Sequence, residues 1–566
     1  MVKQISLKTK NKKTMKTVLT FTAIFLAVIS FFSQSVNAQV SESWVKQYNG
    51  TADGYDYAES IVTDDAGNSY VTGYSDSMGV ADIVTIKYSS TGTVRWTKKY
   101  DGPAHGDDRG IAIAIDDSSN VYVTGYSEGI GTMMDFVTIK YSSSGDVKWI
   151  SRYNGPMSEV EAPTCITVDA VGNVYVGGSG PSVPGESFDF ITVKYTASGG
   201  FAWARYFDRP IPGGGEHVTA IATHGSAVYI TGYSIAPGFM DLIYTVGYSA
   251  SGDTLFETPY SGTGLGGRKP SSIAVSPTTG AIYICGLEYS GSPVAGIDYL
   301  TLKYSPSGSL SWAKHYNGTD SDVDEAKKII VDGTESVYVT GFSEGISSAY
   351  DYLTIKYSAM GDTIWTARYN NSEDGDDRAE DMKVDASGNV YVTGWSRDFG
   401  TRYDYLTVKY SSTGAELWDI RYDATSATID SKAYALGIDA LGNVYVTGVS
   451  NGPTGNEDIT TIKYTEVMTG VNGNTNSTPE GFELKQNYPN PFNPSTKISF
   501  SLPNAGMTTL KIYDMAGKEV AQLVNGNMNA GTHEFNFDAS GLSSGVYFYT
   551  LQSGEFMETK KMNLIK

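Results

Sequence analysis

The chain has 566 residues, of which 41 are Tyr and 63 Gly, and only 18% are charged. The formal net charge is −21; the first 38 residues hold six lysines and no acid, so the remainder carries −27. So acidic a chain lacks the basic footprint that nucleic acid requires, and its length exceeds one ordinary domain unless it is built from repeats.

Residues 1–16 are basic, Val18 to Phe32 is mostly apolar, and Val36-Asn37-Ala38 places small residues at −3 and −1 of a cleavage site. This pattern predicts a secretory signal peptide over 1–38, cut after Ala38. The apolar run is shorter than the ~20 residues that span a bilayer, and no later segment is apolar enough to do so.

From residue 39 to 464 one package recurs. In one copy it reads Asn120-Val-Tyr-Val-Thr-Gly125, then Asp135-Phe-Val-Thr-Ile-Lys-Tyr141, then Trp149. The Gly that closes the first motif falls at 73, 125, 178, 232, 286, 341, 394 and 448, a period of 52 to 55 residues. Each copy holds four strand candidates with period-2 patterning, which predicts an all-β fold of propeller blades. Turns such as Asp169-Ala-Val-Gly-Asn173 join the first strand to the second. Eight blades are expected, with seven the alternative.

The aromatic of the fourth strand appears at Trp44, Trp96, Trp149, Trp203, Phe256, Trp312, Trp365 and Trp418. Trp44 precedes any complete copy, and nothing similar follows Tyr464. Pairing this orphan N-terminal strand with the last blade closes the ring and removes two sheet edges. The aromatic is expected to be a core anchor. The recurring lysine (Lys87, Lys140, Lys194, Lys303, Lys356, Lys409, Lys463) is expected to pair with a carboxylate such as the third strand's opening Asp. Gly247 replaces it in the fourth copy. Cys165 and Cys285, the only cysteines, are expected to be buried free thiols.

Loops joining the second strand to the third, and the crossovers between blades, share one face and vary, whereas the other turns are short and uniform. Binding residues concentrate on variable loops, so Asp107, Asp108, Glu128, Met134, Asp376, Asp377, Trp395 and Arg397 are the candidate binding-face residues. Asp320-Ser-Asp322-Val-Asp324 alternates carboxylates as a calcium loop does, without its sixth-position Gly and distal Glu. Calcium at Asp320, Asp322 and Asp324 is the one cofactor the sequence raises. The five His have no metal-ligand spacing, and no nucleophile elbow or phosphate loop stands out. These observations favour a binding scaffold for a protein or glycan. The alternative is a hydrolase or lyase using loop carboxylates, whose pairing is spatial.

With these motifs on the page, residues 41–464 resemble the β-propeller repeat family of exported bacterial proteins. Thr413-Gly414-Ala-Glu-Leu-Trp418 is similar to the tryptophan-docking motif of eight-bladed quinoprotein propellers. The adjacent cysteines of those enzymes are missing here, so their quinone chemistry is not expected.

Residues 465–481 form a polar Gly/Asn/Thr-rich linker. Beyond it, six or seven short strands predict an Ig-like β-sandwich over 482–566. Asn487-Tyr-Pro-Asn-Pro-Phe492, Tyr513-Asp514, Gly545-Val-Tyr547 and the basic Lys560-Lys561 resemble the type A sorting domain of type IX secretion cargo. The resemblance implies that the type IX machinery is a partner and that the protein is secreted or held at the outer cell surface.

Overall fold

The computed structural model describes residues 38–566 except 78, 184–186, 210–213, 236–240, 263–265, 290–295, 319–322, 346–348, 372–374, 398–401, 424–429, 453–454, 469–480, 488, 529–530 and 555. Every element among them is a strand, and no helix is long and apolar enough to cross a membrane. The expected signal peptide lies outside the described residues except for Ala38.

Strand chemistry places each strand within its blade. In Val121–Glu128 the run Val121 to Gly125 is buried throughout, and Asp135 to Ile139 of the next strand is buried likewise. Uninterrupted burial of this kind marks a strand covered on both faces; here the neighbouring blades supply the cover. Val147–Tyr153 instead exposes Val147 and Ile150, as expected of an outer edge.

Eight four-stranded antiparallel sheets result. Their inner strands are Asp56–Thr63, Asp108–Ile115, Ala162–Val168, Glu216–His224, Arg268–Val275, Asp324–Val331, Asp377–Val384 and Lys432–Ile438. Each inner strand packs on the one before and the one after, and the first packs on the last, so the ring is closed. The eighth sheet takes its outer strand from the N-terminus: Ala38–Tyr48 pairs with Glu457–Met468, from Ala38–Met468 to Tyr48–Ile459. Even the bulge just after the recurring lysine, which interrupts the outer ladder of the other blades, recurs there between Glu42 and Trp44. The pairing strand runs to Met468, four residues past Tyr464.

The outer aromatic sits between blades. Trp96 Nε1 donates to Ser143 O (3.2 Å), in the turn of the next blade, and Lys87 Nζ donates to the same carbonyl (2.9 Å). Trp203 and Lys194 share Ala250 O, Trp312 and Lys303 share Ala359 O, and Trp365 and Lys356 share Ser412 O. At the seam, Trp44 and Lys463 share Ser90 O, so ring closure repeats the ordinary junction. Each lysine also lies over the Tyr of its second strand, as Lys87 over Tyr70 at 4.8 Å. The expected pairing with a carboxylate holds for Lys140, with Asp116 at 4.0 Å, and for Lys409, with Glu466, but not with the third strand's Asp, which is at the other end of the strand; at the other five a turn carbonyl plus a ring face hold the ammonium.

The turn must be Gly where the indole lies beneath it. Gly145 has φ +87°, and a Cβ there would meet Trp96 at 2.8 Å. The fourth-to-fifth junction loses both donors together, with Gly247 and Phe256 in place of Lys and Trp. The last blade lacks the turn itself, because its outer strand comes from the other end of the chain. The Glu466 carboxylate takes the turn's place and accepts from both Trp418 Nε1 (2.6 Å) and Lys409. Both cysteines are free; Cys285 is buried and Cys165 half-buried.

The second unit, 470–566, is a sandwich of a three-stranded and a four-stranded sheet over a core that includes Phe492, Phe500, Ile512 and Tyr549.

Candidate functional site

Every inner strand carries a β-bulge two or three residues after its start, as between Ala58 and Ser60 or Ala379 and Asp381. A bulge bends a strand and re-aims the extra side chain. The bulged residues are Glu59, Ile111, Thr164, Thr219, Ser271, Lys327, Glu380 and Tyr434. They form one level around the axis of the ring.

One step nearer the crossover face, four inner strands place a cation over the aromatic that follows the repeated Gly of the preceding blade. Arg109 lies over Tyr74 at 4.6 Å, Lys269 over Tyr233 at 4.7 Å, and Arg378 over Phe342 and Tyr350 at 5.1 and 4.3 Å. Lys432 lies over Trp395 and Tyr403 at 5.7 and 4.9 Å. His217 packs on Phe188 and Tyr233. Part of the mouth of the axis is thus lined by aromatic faces beside cations, at Tyr74, Tyr233, Phe342 and Trp395.

Candidate residues separate into two places. Around the seventh blade, Asp376, Asp377, Trp395 and Arg397 come together. Asp376 accepts from Tyr403 Oη (2.5 Å) and Arg378 Nε (3.1 Å), and Arg397 lies over Tyr403 at 4.8 Å. Trp395 is in the strand Val390–Arg397 and packs edge-on against Tyr403 and Tyr434. Asp377 is buried, bonded by Asn371, and raised to about 6 by burial. In the second blade, Asp107 accepts from Ala81 N (3.0 Å), and Glu128 and Met134 pair across the ladder.

Asp320 and Asp322 lie outside the described residues. Asp324 opens the inner strand of the sixth blade, where its Oδ2 accepts from Gly318 N at 2.6 Å. It is one of a repeated set of inner-strand acids that includes Asp56, Asp108, Glu161, Glu216 and Asp377. Burial is the largest cause raising Glu161 and Glu216 to about 7, with Asp135 adding to the first and Asp189 to the second. At the bulge level burial also raises Glu380 to about 7, Lys327 opposing and Glu325 reinforcing it.

Sequence reasoning missed Arg109, Lys269, Arg378, Lys432 and Tyr403. For the four cations the signal was one repeated position, the inner-strand residue that pairs across the ladder with the residue after the repeated Gly; Tyr403, at the start of a third strand, carries no such signal.

Residues 486–565 match the secretion system C-terminal sorting domain, and residues 43–78 match a beta-propeller repeat. The chain is an exported β-propeller repeat protein. Its sorting domain directs it through type IX secretion to the cell exterior, as a secreted or outer-surface protein. No curated protein matches it in sequence. Among solved structures, Sqt1 of Chaetomium thermophilum is 11% identical with TM-score 0.45, covering 76% of this chain and 100% of its own. PorZ, a surface component of the type IX secretion system of Porphyromonas gingivalis, is 12% identical with TM-score 0.26, over 89% and 75%. The periplasmic gluconolactonase PpgL of Pseudomonas aeruginosa is 10% identical with TM-score 0.38, over 74% and 99%.

Proposed function

We propose that the protein is a binding module that takes a glycan at the mouth of the ring axis, delivered by a signal peptide cut after Ala38 and by the sorting domain over 482–566. The observation that carries this reading is the set of aromatic faces beside cations at the mouth, densest where Trp395, Tyr403, Arg378, Arg397 and Lys432 meet. Aromatic rings take the C–H faces of sugars, and charged groups take their hydroxyls and carboxylates; convergence of both kinds is the mark of a ligand site. Hydrogen-bonded strands hold these groups, so little ordering is spent on binding.

The test is a glycan array with the mature chain, followed by calorimetry on the hits. Trp395→Ala and Arg397→Ala should each weaken binding about tenfold or more, as truncation of a central aromatic or Arg anchor does. Unchanged affinity in both variants, or capture of protein ligands alone, overturns the glycan assignment. A second reading, a hydrolase or lyase, is favoured by one observation: Glu380 is raised to about 7 beside Glu325, Lys327 and Arg378, a poise suited to acid–base work. Release of reducing ends that Glu380→Gln abolishes would support it.

A further inference from the structure

Where two blades meet on the crossover face, three positions recur: the Asp opening the third strand, an Asp or Asn ending the outer strand, and the acid opening the next inner strand. Between the first and second blades these are Asp82, Asp101 and Asp108, and between the third and fourth Asp189, Asp208 and Glu216. In each set one oxygen per residue lies within 4.8 Å of the others. The three positions therefore converge in space.

Among the described residues, four of the eight junctions supply a lysine or arginine to the third strand's Asp. Arg152 bonds Asp135 at 2.8 Å, Arg368 bonds Asp351 at 2.6 Å, Arg421 reaches Asp404 at 3.5 Å, and Lys99 reaches Asp82 at 3.8 Å. The seam between the last and first blades is one of those that do not. Its three residues are Asp458, Asn49 and Asp56, and the arginine position is Gln47. That amide donates to Ser450 Oγ and Asn451 O, both at 3.1 Å, just as Arg152 donates to Ser127, but it brings no charge.

Asp458 is 0% exposed, and neither carboxylate oxygen has a hydrogen-bond partner. Asn49 turns its Nδ2 to Asp53 Oδ1 (2.8 Å), which leaves its buried Oδ1 without a donor. Asp56, also 0% exposed, accepts from Gly50 N (2.7 Å) through Oδ2; its other oxygen has the Ser75 hydroxyl beside it, and Lys99 is the one cation that acts on it. The charges acting on Asp458 are Asp56 and then Asp53. Buried acceptors facing one another with no donor between them demand a compensating group, and an all-oxygen set of two carboxylates and an amide carbonyl suits a hard divalent cation.

We propose that the seam binds a calcium-class divalent cation through Asp458, Asn49 and Asp56. One ion then ties together the last blade, the N-terminal strand that completes it, and the first blade. Water and backbone carbonyls fill the remaining positions, which places the site in the weak extracellular class, with Kd on the order of 10⁻⁴–10⁻³ M.

Hydrogen exchange on the mature full chain, in millimolar CaCl2 against EDTA, reads the seam directly. In the wild type, calcium at ten times its Kd should slow exchange of the ladder amides of residues 44–48 about tenfold. Asp458→Asn should abolish that difference and, in EDTA, exchange more slowly than the wild type, because a buried unpaired charge is gone. Asp404→Asn, at an Arg-paired junction, should keep the calcium response. Equal wild-type exchange in calcium and EDTA, or an undiminished response in Asp458→Asn, overturns the proposal. Should Asp458→Asn fail to fold, Asn49→Ala decides instead: it must reduce the response, and a full response overturns the site.

Discussion

Asp108 and Asp116 stand at the two ends of one inner strand, and their surroundings are opposite. Asp116, at the uniform-turn end, is partly buried but receives Ser118 N, Asn120 N, Asn120 Nδ2 and Tyr122 Oη, and these bonds hold it below the ordinary carboxylate range. Asp108, at the crossover end, is fully buried, receives Gly102 N, and is raised by burial and by Asp101. Asp332 repeats the first environment and is held low, while Glu161, Glu216, Asp377 and Asp458 repeat the second and are raised; Glu288, on the crossover face, is buried yet held low by His315 and Arg268. One face spends its polar groups on locking repeats together. The other leaves them under-satisfied, which is the condition of groups that meet a ligand.

The severest way to break this comparison is to remove the seam strand, which contributes to both faces. Deleting residues 41–49 strips the last blade of its ladder to Glu457–Met468 and removes Trp44 from beneath Gly92. The melting temperature should fall by on the order of 10 °C, measured by calorimetry; an unchanged transition would refute closure by this strand.

A milder test uses opposite pH signs. Glu161 is 0% exposed and titrates near 7 in the fold against an ordinary value of 4.5. Its protonated form favours the fold fully below 4.5, and this contribution is lost as pH rises toward 7. The wild type should therefore lose about 2–3 kcal/mol over that window relative to Glu161→Gln. Asp116 acts in reverse: its contribution is present above its ordinary 3.8 and is lost as pH falls below it. Urea midpoints for Glu161→Gln and Asp116→Asn across this range should diverge from the wild type at opposite ends. Parallel curves would mean that the two faces are electrostatically alike.

The blades, their number and the seam were legible because each repeats the same local rule: alternation in the inner strand, unbroken apolar runs in the middle strands, and an aromatic on the edge. The sorting domain was legible from motif density. The lysine was misassigned because strand direction alone does not say which end of a strand an ammonium reaches, and a carbonyl in another blade is invisible to local pattern. The channel mouth was found only in part for the same reason. Trp395 stood out as a singular residue, whereas Arg378 and Lys432 acquire meaning only through rings in the preceding blade.

The smallest effect is expected at the junction where the locking face is already relaxed. Gly247 and Phe256 replace Lys and Trp together, and a Cβ on Gly247 would meet the Phe256 ring at 2.7 Å. Gly247→Lys alone should therefore destabilise the chain by about 1–2 kcal/mol through overpacking. Phe256→Trp brings an indole N–H toward the turn of the next blade, where Ser143, Ala250 and Ala359 accept at other junctions. Combined, the two changes restore the shared-carbonyl arrangement and should gain about 0.5–1 kcal/mol over the wild type. The decisive quantity is the coupling: if lysine and tryptophan form one unit, the double variant must exceed the sum of the single effects by about 1 kcal/mol or more. Strict additivity in urea unfolding would show that the ammonium and the indole act separately, and that their joint loss at this junction is coincidence.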